Sequence, residues 1–538
     1  MPHHHVTPKV SEAAPEGPRA LLEAAFAAMR AEFGLEDGYP EAAVADAERA
    51  IAALELPKAD LTGIGFVTID PPTSTDLDQA LHIERDGGGY RVRYAIADVP
   101  AFVEPGTALD AETRRRGQTI YAADGKVPLH PAQISDSAGS LLADQVRSAF
   151  VWDFRLAPDG EVAGVGLERA RVRSRAKLSY ARAQEQIDAG TAVETLVLLR
   201  EVGLLRIRLE AARGGASLNL PDQEIITADG GYGIEASPSR PVEDWNAQIS
   251  LMTGMAAAQL MLAGGTGILR TMPEPDERSL RHFRRQTSAL GKPWDDDVPY
   301  GQYLRTLDAS DPRQLAILHA AGALFRGAGY TPFDGLPPAA TAQAAIGAPY
   351  AHTTAPLRRL VDRFVLVICH AHANGHEVPG WARAALPELP AIMAASDQLA
   401  GRVERASLDL VEAALLVNRV GQEFDAVVVS GSIPADEEED GGGRDGAPDG
   451  EPVTGTRGAR RPQQESPLDR IASSQNGAGS EGTAEKPSGA RPRPFGTIQL
   501  AEPPVTARCD GDMVSGTTVR VRLVEADVMA RRILFERA

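Results

Sequence analysis

The stretch TIDPPTSTDLDQA, residues 68–80, places three aspartates within nine positions, directly after a short apolar segment. They are Asp70, Asp76 and Asp78, and carboxylates this close together repel one another. One interpretation is an acidic turn, because aspartate is common in solvent-facing turns and caps. The other is a divalent-metal site, since Mg²⁺ prefers oxygen ligands and neighbouring carboxylates can share one ion. Such sites serve phosphoryl chemistry, in which metal ions generate a nucleophilic water and stabilise the leaving oxygen.

The composition describes a large globular chain. At 538 residues and 43% hydrophobic content, two or more domains are expected. No apolar run is long enough for a membrane span, and the first residues lack the apolar core of a signal peptide. Two cysteines make no disulfide framework, so a reducing cytoplasm is expected. The net charge of −19 argues against surface-wide nucleic-acid binding but leaves room for a basic groove.

The pattern of apolar residues divides the chain into three parts. Residues 1–56 are predicted to form an N-terminal helical segment, because alanine and apolar residues recur at helical spacing. A mixed region follows over residues 57–420, with strands first and helices dominating later. Residues 421–538 are predicted to form a small β domain. Its strands flank residues 433–495, whose glycine, proline, serine and charged residues predict a disordered insertion.

A series of motifs extends from the aspartates along the middle part. DPPTSTDLDQA is followed by YAIADVPAFVEPGTALDAETRRRGQTIYAADGKVPLHPAQIS, residues 94–135, and far downstream by YAHTTAPLRRLVDR, residues 350–363. In order and spacing this series resembles the RNB catalytic domain of the ribonuclease II / ribonuclease R family. The C-terminal part resembles a divergent S1-type OB fold, which is used for single strands.

The resemblance implies a fold and an activity. The expected fold is α/β (α+β): an RNB domain with a mixed sheet and many helices, followed by an S1-like OB barrel. The expected activity is 3′→5′ exoribonuclease hydrolysis of single-stranded RNA to nucleoside 5′-monophosphates, with Mg²⁺, or alternatively Mn²⁺, as the cofactor.

The resemblance also assigns residues to the chemistry. Asp70 and Asp76 would bind metal, and Asp78 would be both a ligand and the catalytic carboxylate. Gln79, where the family has a fourth aspartate, would offer an amide oxygen. Arg358 would lie beside the scissile phosphate, since a guanidinium presents a rigid fork to phosphate oxygens.

Four further residues are predicted to contact RNA. Tyr121 matches an aromatic residue at the 3′ end of the strand, where a ring stacks on bases without sequence preference. Its alternative is a core tyrosine. Glu404 matches an acidic position near the RNA end, and its alternative is a solvated helix residue. Tyr350 and Arg359 belong to the downstream motif; a surface pair on a helix is the alternative for Arg359 with its neighbour Arg358.

The chain departs from the family pattern at three places, and these departures leave alternative functions open. Gln79 replaces an aspartate and lowers the ligand charge, Ala95 replaces a histidine, and residues 1–56 are too short for the usual cold-shock domains. The chain therefore resembles a shortened bacterial branch that lacks those domains. The alternative function is a catalytically weak RNA-binding protein with a degenerate site. A third is an acidic interaction protein that uses residues 433–495 as a tether.

Overall fold

A computed structural model describes most of the chain. It covers residues 16–36, 38–216, 218, 222–228, 231–237, 240–432 and 494–538. Nearly all of the predicted disordered insertion lies outside these residues. Within the described ranges, no helix combines the length and apolar character needed to cross a membrane.

The described residues between 16 and 178 form two helices and then a sheet whose strands are interrupted by a helix and a hairpin. In chain order these are α1 (Glu16–Glu32), α2 (Glu41–Ala52), β1 (Ala59–Asp60), β2 (Phe66–Ile69), β3 (Gln79–Asp86), β4 (Gly89–Ala97), α3 (Ala108–Arg116), β5 (Ile120–Ala122), β6 (Gly125–Val127), β7 (Val146–Leu156) and β8 (Val162–Leu178).

The main sheet closes into a ring. Its strand order is β1-β8-β2-β3-β4-β7, and the long strand β8 pairs with β7 as well as with β2. Alternate side chains of β4 enter two different cores: Tyr94 and Ile96 lie in one, Ala95 and Ala97 in the other. Because both faces of the sheet are covered, β4 is buried almost throughout, as its run of apolar residues predicts.

Helices dominate the next part of the chain. The elements are α4 (Tyr180–Asp188), α5 (Glu194–Ala212), β9 (Asp222–Ala228), β10 (Gly231–Ser237), α6 (Pro241–Gly264), β11 (Thr266–Thr271), α7 (Glu277–Ala289), α8 (Tyr300–Leu304), α9 (Pro312–Ala321), β12 (Gly329–Asp334), β13 (Ala342–Gln343), β14 (Ala348–Pro349), α10 (Leu360–Ala373), α11 (Gly380–Ala385) and α12 (Leu389–Leu416).

A glycine in α6 lets the downstream motif pack directly against this helix. The backbone N–H of Ala351 donates to the Gly254 carbonyl at 3.0 Å. A Cβ added at Gly254 would lie 2.6 Å from the Ala351 carbonyl oxygen and would also collide with the ring of Tyr350. The close approach fixes the segment that leads from β14 to α10, which carries Arg358.

The last part of the chain forms a closed five-stranded barrel. Its strands are β15 (Glu423–Ser430), β16 (Phe495–Leu500), β17 (Thr506–Asp510), β18 (Thr518–Asp527) and β19 (Arg532–Arg537), in the order β15-β16-β17-β19-β18. Strands β15 and β16 pair antiparallel, although residues 431–494 separate them in the chain. The predicted mixed α/β fold with a C-terminal OB-like barrel is confirmed.

Candidate active site

A cavity of about 270 Å³ lies where three segments meet: the loop from β2 to β3, the β5–β6 hairpin and the loop before α10. It is lined by Asp70, Pro71, Thr73, Ser74, Thr75, Asp76, Asp78, Gln79, Tyr121, Gly125, Lys126, Tyr180 and Arg358. The cavity therefore contains the three aspartates, Gln79, Tyr121 and Arg358 that the sequence singled out.

The loop that carries the aspartates is tied to the sheet at both ends. The N–H of Asp70 donates to the Leu178 carbonyl at 3.0 Å, and the carbonyl of Asp78 accepts from the Ala97 N–H at 2.9 Å. In the middle, Lys177 Nζ donates to the Pro72 carbonyl at 2.8 Å. These bonds tie the loop that carries the acidic side chains to β4 and β8.

Asp78 joins the two distant motifs. Its Oδ1 accepts from the Leu357 N–H at 2.7 Å, and its Oδ2 lies 3.8 Å from Arg358 Nε. Asp78 is 5% exposed, and this burial raises the pKa of its carboxyl well above the usual range. A buried carboxylate beside an arginine is an arrangement that can bind a cation and a phosphate together.

A buried ion pair supports the loop that carries Arg358. Asp362 in the first turn of α10 accepts from the Ala355 N–H at 2.7 Å. The same carboxylate pairs bidentately with Arg359, at 3.0 and 2.8 Å. Arg359 therefore supports the loop from within, and its predicted contact with RNA stays a prediction.

Asp70 and Asp76 differ in their surroundings. Burial, helped by the nearby carboxylate of Asp76, raises the pKa of Asp70 to about 7, although Arg358 and Lys177 act to lower it. Asp70 Oδ2 is buried, with no hydrogen-bond partner among the described residues. Asp76 instead has Lys126 Nζ at 3.0 Å, and Tyr121 donates to it at 3.5 Å.

The fit of these residues to a metal is partial. The oxygen donors suit a hard divalent cation, and such a cation would compensate the buried carboxylates of Asp70 and Asp78. Gln79 is already engaged: its Oε1 accepts from the Tyr94 hydroxyl and its Nε2 donates to the Thr354 carbonyl, both at 2.6 Å. No group of three acidic, histidine or cysteine side chains within the described ranges is arranged to hold a metal ion. The ligand set remains a prediction.

The other predicted RNA contacts lie outside the cavity lining. Tyr350 is 7% exposed in the larger core, where its ring meets His352 edge-on at 5.5 Å. Glu404 lies on α12, which packs against β5. The structure thus brings Tyr121 to the carboxylates, but places Tyr350 and Glu404 elsewhere.

Lys126 was missed by the sequence reasoning. It is the cross-strand partner of Tyr121 in the β5–β6 hairpin, so both side chains share one face. The Asp124-Gly125 pair is the signal that could have found it, because Asp-Gly flanked by short β-rich runs predicts a hairpin. In the structure Ala123 and Asp124 form the turn and Gly125 begins β6.

Comparison with known proteins identifies the family. The model described as "RNB domain" matches residues 58–375, more than half of the chain, and the "RNase II-type exonuclease C-terminal S1 domain" matches residues 485–538. The chain belongs to the RNB-domain family, and the resemblance inferred from the motifs is confirmed.

Individual relatives agree with this assignment. The exosome complex exonuclease RRP44 homolog A of Arabidopsis thaliana is 25% identical over 400 residues, covering 71% of this chain and 41% of that protein. Ribonuclease R of Aquifex aeolicus is 25% identical over 428 residues, covering 74% and 58%. The apo form of Mycoplasma genitalium RNase R has the same fold, with a TM-score of 0.74 at 16% identity, over 97% of this chain and 78% of that one.

One relative carries a different description. The inactive exonuclease DIS3L2 of Arabidopsis thaliana is 31% identical over 261 residues, covering 44% of this chain and 24% of that protein. The chain spans less than two thirds of the length of all three curated relatives.

Proposed function

We propose that this chain is a metal-dependent 3′→5′ exoribonuclease that hydrolyses single-stranded RNA to nucleoside 5′-monophosphates. The observation that carries the proposal is the cavity in which Asp70, Asp76 and Asp78 face Arg358 within an RNB domain. The named exonucleases among the relatives support the same class of reaction.

Different residues of the cavity would bind the metal ion, the scissile phosphate and the terminal base. Asp70, Asp76 and Asp78 would hold Mg²⁺ or Mn²⁺, which when bound supplies a nucleophilic water and stabilises the leaving oxygen. The guanidinium of Arg358 pairs with the oxygens of the scissile phosphate and stabilises the negative charge that develops on them. The ring of Tyr121 stacks on a base near the 3′ end, which requires no particular sequence.

The test is a time course with 5′-labelled poly(A) at low salt, with Mg²⁺, Mn²⁺ or EDTA. Wild type should shorten the RNA to a small discrete oligonucleotide only with metal, and Asp78→Asn should lose at least about 100-fold in rate. Asp153→Asn is the matched control, because Asp153 pairs with Arg91 on strands away from the cavity. Unchanged decay in Asp78→Asn would refute the proposal.

A catalytically weak RNA-binding protein is the second candidate. Gln79 favours it, because its amide oxygen is neutral and already accepts from Tyr94. For this candidate, wild type binds poly(A) without shortening it, and Gln79→Asp raises metal-dependent turnover from near zero. A wild type that is already active, and is not improved by Gln79→Asp, would exclude it.

A further inference from the structure

Lys126 is a cation built into the candidate active site. Its Nζ lies 3.0 Å from Asp76 Oδ1 and 3.1 Å from Asp136 Oδ1, so that it bridges the β2–β3 loop and the turn at residues 134–138. Asp136 is itself held by the Thr75 hydroxyl at 2.9 Å. An ordinary surface ion pair would lie in solvent, whereas Lys126 lines the cavity and Asp76 is 11% exposed.

The bridge occupies a carboxylate that a metal ion would otherwise use. Asp76 cannot give its full charge to a cation while Lys126 stays in place. Gln79 offers no charge either, and both ends of its amide are engaged by Tyr94 and Thr354. Two of the four predicted ligand positions are therefore weakened together, one by a neutral residue and one by a neighbouring ammonium.

The charges that line the cavity differ from those of a site with a fourth aspartate and no lysine by the charge of one divalent ion. Three aspartates, Arg358 and Lys126 sum to −1 when all are ionised, and one divalent ion brings this to +1. With an aspartate at position 79 and no lysine, the sum would be −3. Two divalent ions would then be needed to reach the same +1, as in two-metal sites for in-line displacement.

We propose that Lys126 takes the place of a second metal ion, so that this site works with one divalent cation and a fixed ammonium. The inference rests on the proposed nuclease function for its catalytic meaning. Lys126 acts as a positioning residue: it holds Asp76 in place and adds positive charge to the face of the cavity that meets the phosphate. No proton transfer is assigned to it.

The experiment counts Mn²⁺ by electron paramagnetic resonance titration of the full chain, beside turnover of labelled poly(A). Wild type should bind one Mn²⁺. Lys126→Met should bind Mn²⁺ at least roughly tenfold more tightly, since a positive charge next to the ion is removed, while its turnover falls. Lys126→Met combined with Gln79→Asp should bind two ions, and Lys126→Arg should keep one ion and most of the turnover.

Lys58→Met is the matched control, because it removes an exposed lysine outside the cavity and should change neither readout. The inference would be overturned by two Mn²⁺ ions in wild type, or by equal Mn²⁺ affinity in wild type and Lys126→Met. Either result would show that Lys126 does not exclude or weaken metal binding. If no variant degrades RNA, the proposed function fails, whereas the Mn²⁺ count still decides the role of Lys126. If Lys126→Met does not fold, the double variant Lys126→Arg/Gln79→Asp replaces it. This double variant should still bind one Mn²⁺ ion, and binding of two ions would overturn the inference.

Discussion

Neutralising Asp362 should destabilise the protein and misplace Arg358. The Asp362 side chain is fully buried and that of Arg359 is 15% exposed, so Asp362→Asn leaves a largely buried guanidinium without its counter-charge. Breaking a buried pair from one side costs about 3–5 kcal/mol. Because part of Arg359 still reaches solvent, we expect about 3 kcal/mol of lost unfolding free energy.

Urea unfolding of four proteins measures this loss: wild type, Asp362→Asn, Arg359→Met and the double variant. Removing both charges leaves no unpaired ion, so the double variant should be more stable than the sum of the single losses predicts, by at least about 1 kcal/mol. A loss below about 1 kcal/mol in Asp362→Asn would refute the reasoning. Poly(A) affinity of the folded double variant tests the predicted RNA contact of Arg359: unchanged affinity would contradict that prediction.

Three further predictions concern the supporting structure. Burial lowers the pKa of His130 from 6.5 to about 4, so its stabilising contribution is complete above pH 6.5 and is lost as the pH falls toward 4. Between pH 7.5 and 5 this loss of unfolding free energy should be about 2 kcal/mol in urea unfolding, and His130→Asn should lack it. An equal pH dependence in wild type and His130→Asn would contradict a lowered pKa of His130. Gly254→Ala should lower the unfolding free energy by about 1–2 kcal/mol, because the clash with Ala351 exceeds the gain in helix propensity. An unchanged melting temperature would rule out this destabilisation. Burial raises the pKa of Glu412, and its Oε1 accepts from the Thr506 N–H at 3.0 Å. Glu412→Gln should therefore change the unfolding free energy at pH 7 by less than about 0.5 kcal/mol. A larger loss would show that the carboxylate is ionised.

The sequence predicted those residues of the candidate site that belong to a recognisable motif. Asp78 and Arg358 are 280 positions apart, and only the two ordered motif series indicated that they meet. The order of strands first and helices later within residues 57–420 was equally readable from the apolar pattern, and the structure has this order. These features follow from residue type and spacing, which are properties of the sequence itself.

The remaining features depend on packing that spacing does not encode. Arg358 and Arg359 are identical neighbours, yet the start of α10 aims one at the cavity and the other at Asp362. The three-residue step from Arg359 to Asp362 is compatible with a helical ion pair, but an exposed pair would have the same spacing. Tyr350 packs against Gly254 in a close approach visible only in three dimensions, and its predicted contact with RNA stays a prediction.

The barrel offers a practical entry point for protein engineering. Ser430 on β15 and Thr497 on β16 are register partners, so the chain leaves and re-enters the barrel at one position on its rim. Lengthening the connection there is thermodynamically cheap, since each doubling of a loop's length costs only about 0.6 kcal/mol of closure entropy. A fluorescent reporter or an affinity handle placed between these strands would be on the same molecule as the candidate active site without entering the register of any strand.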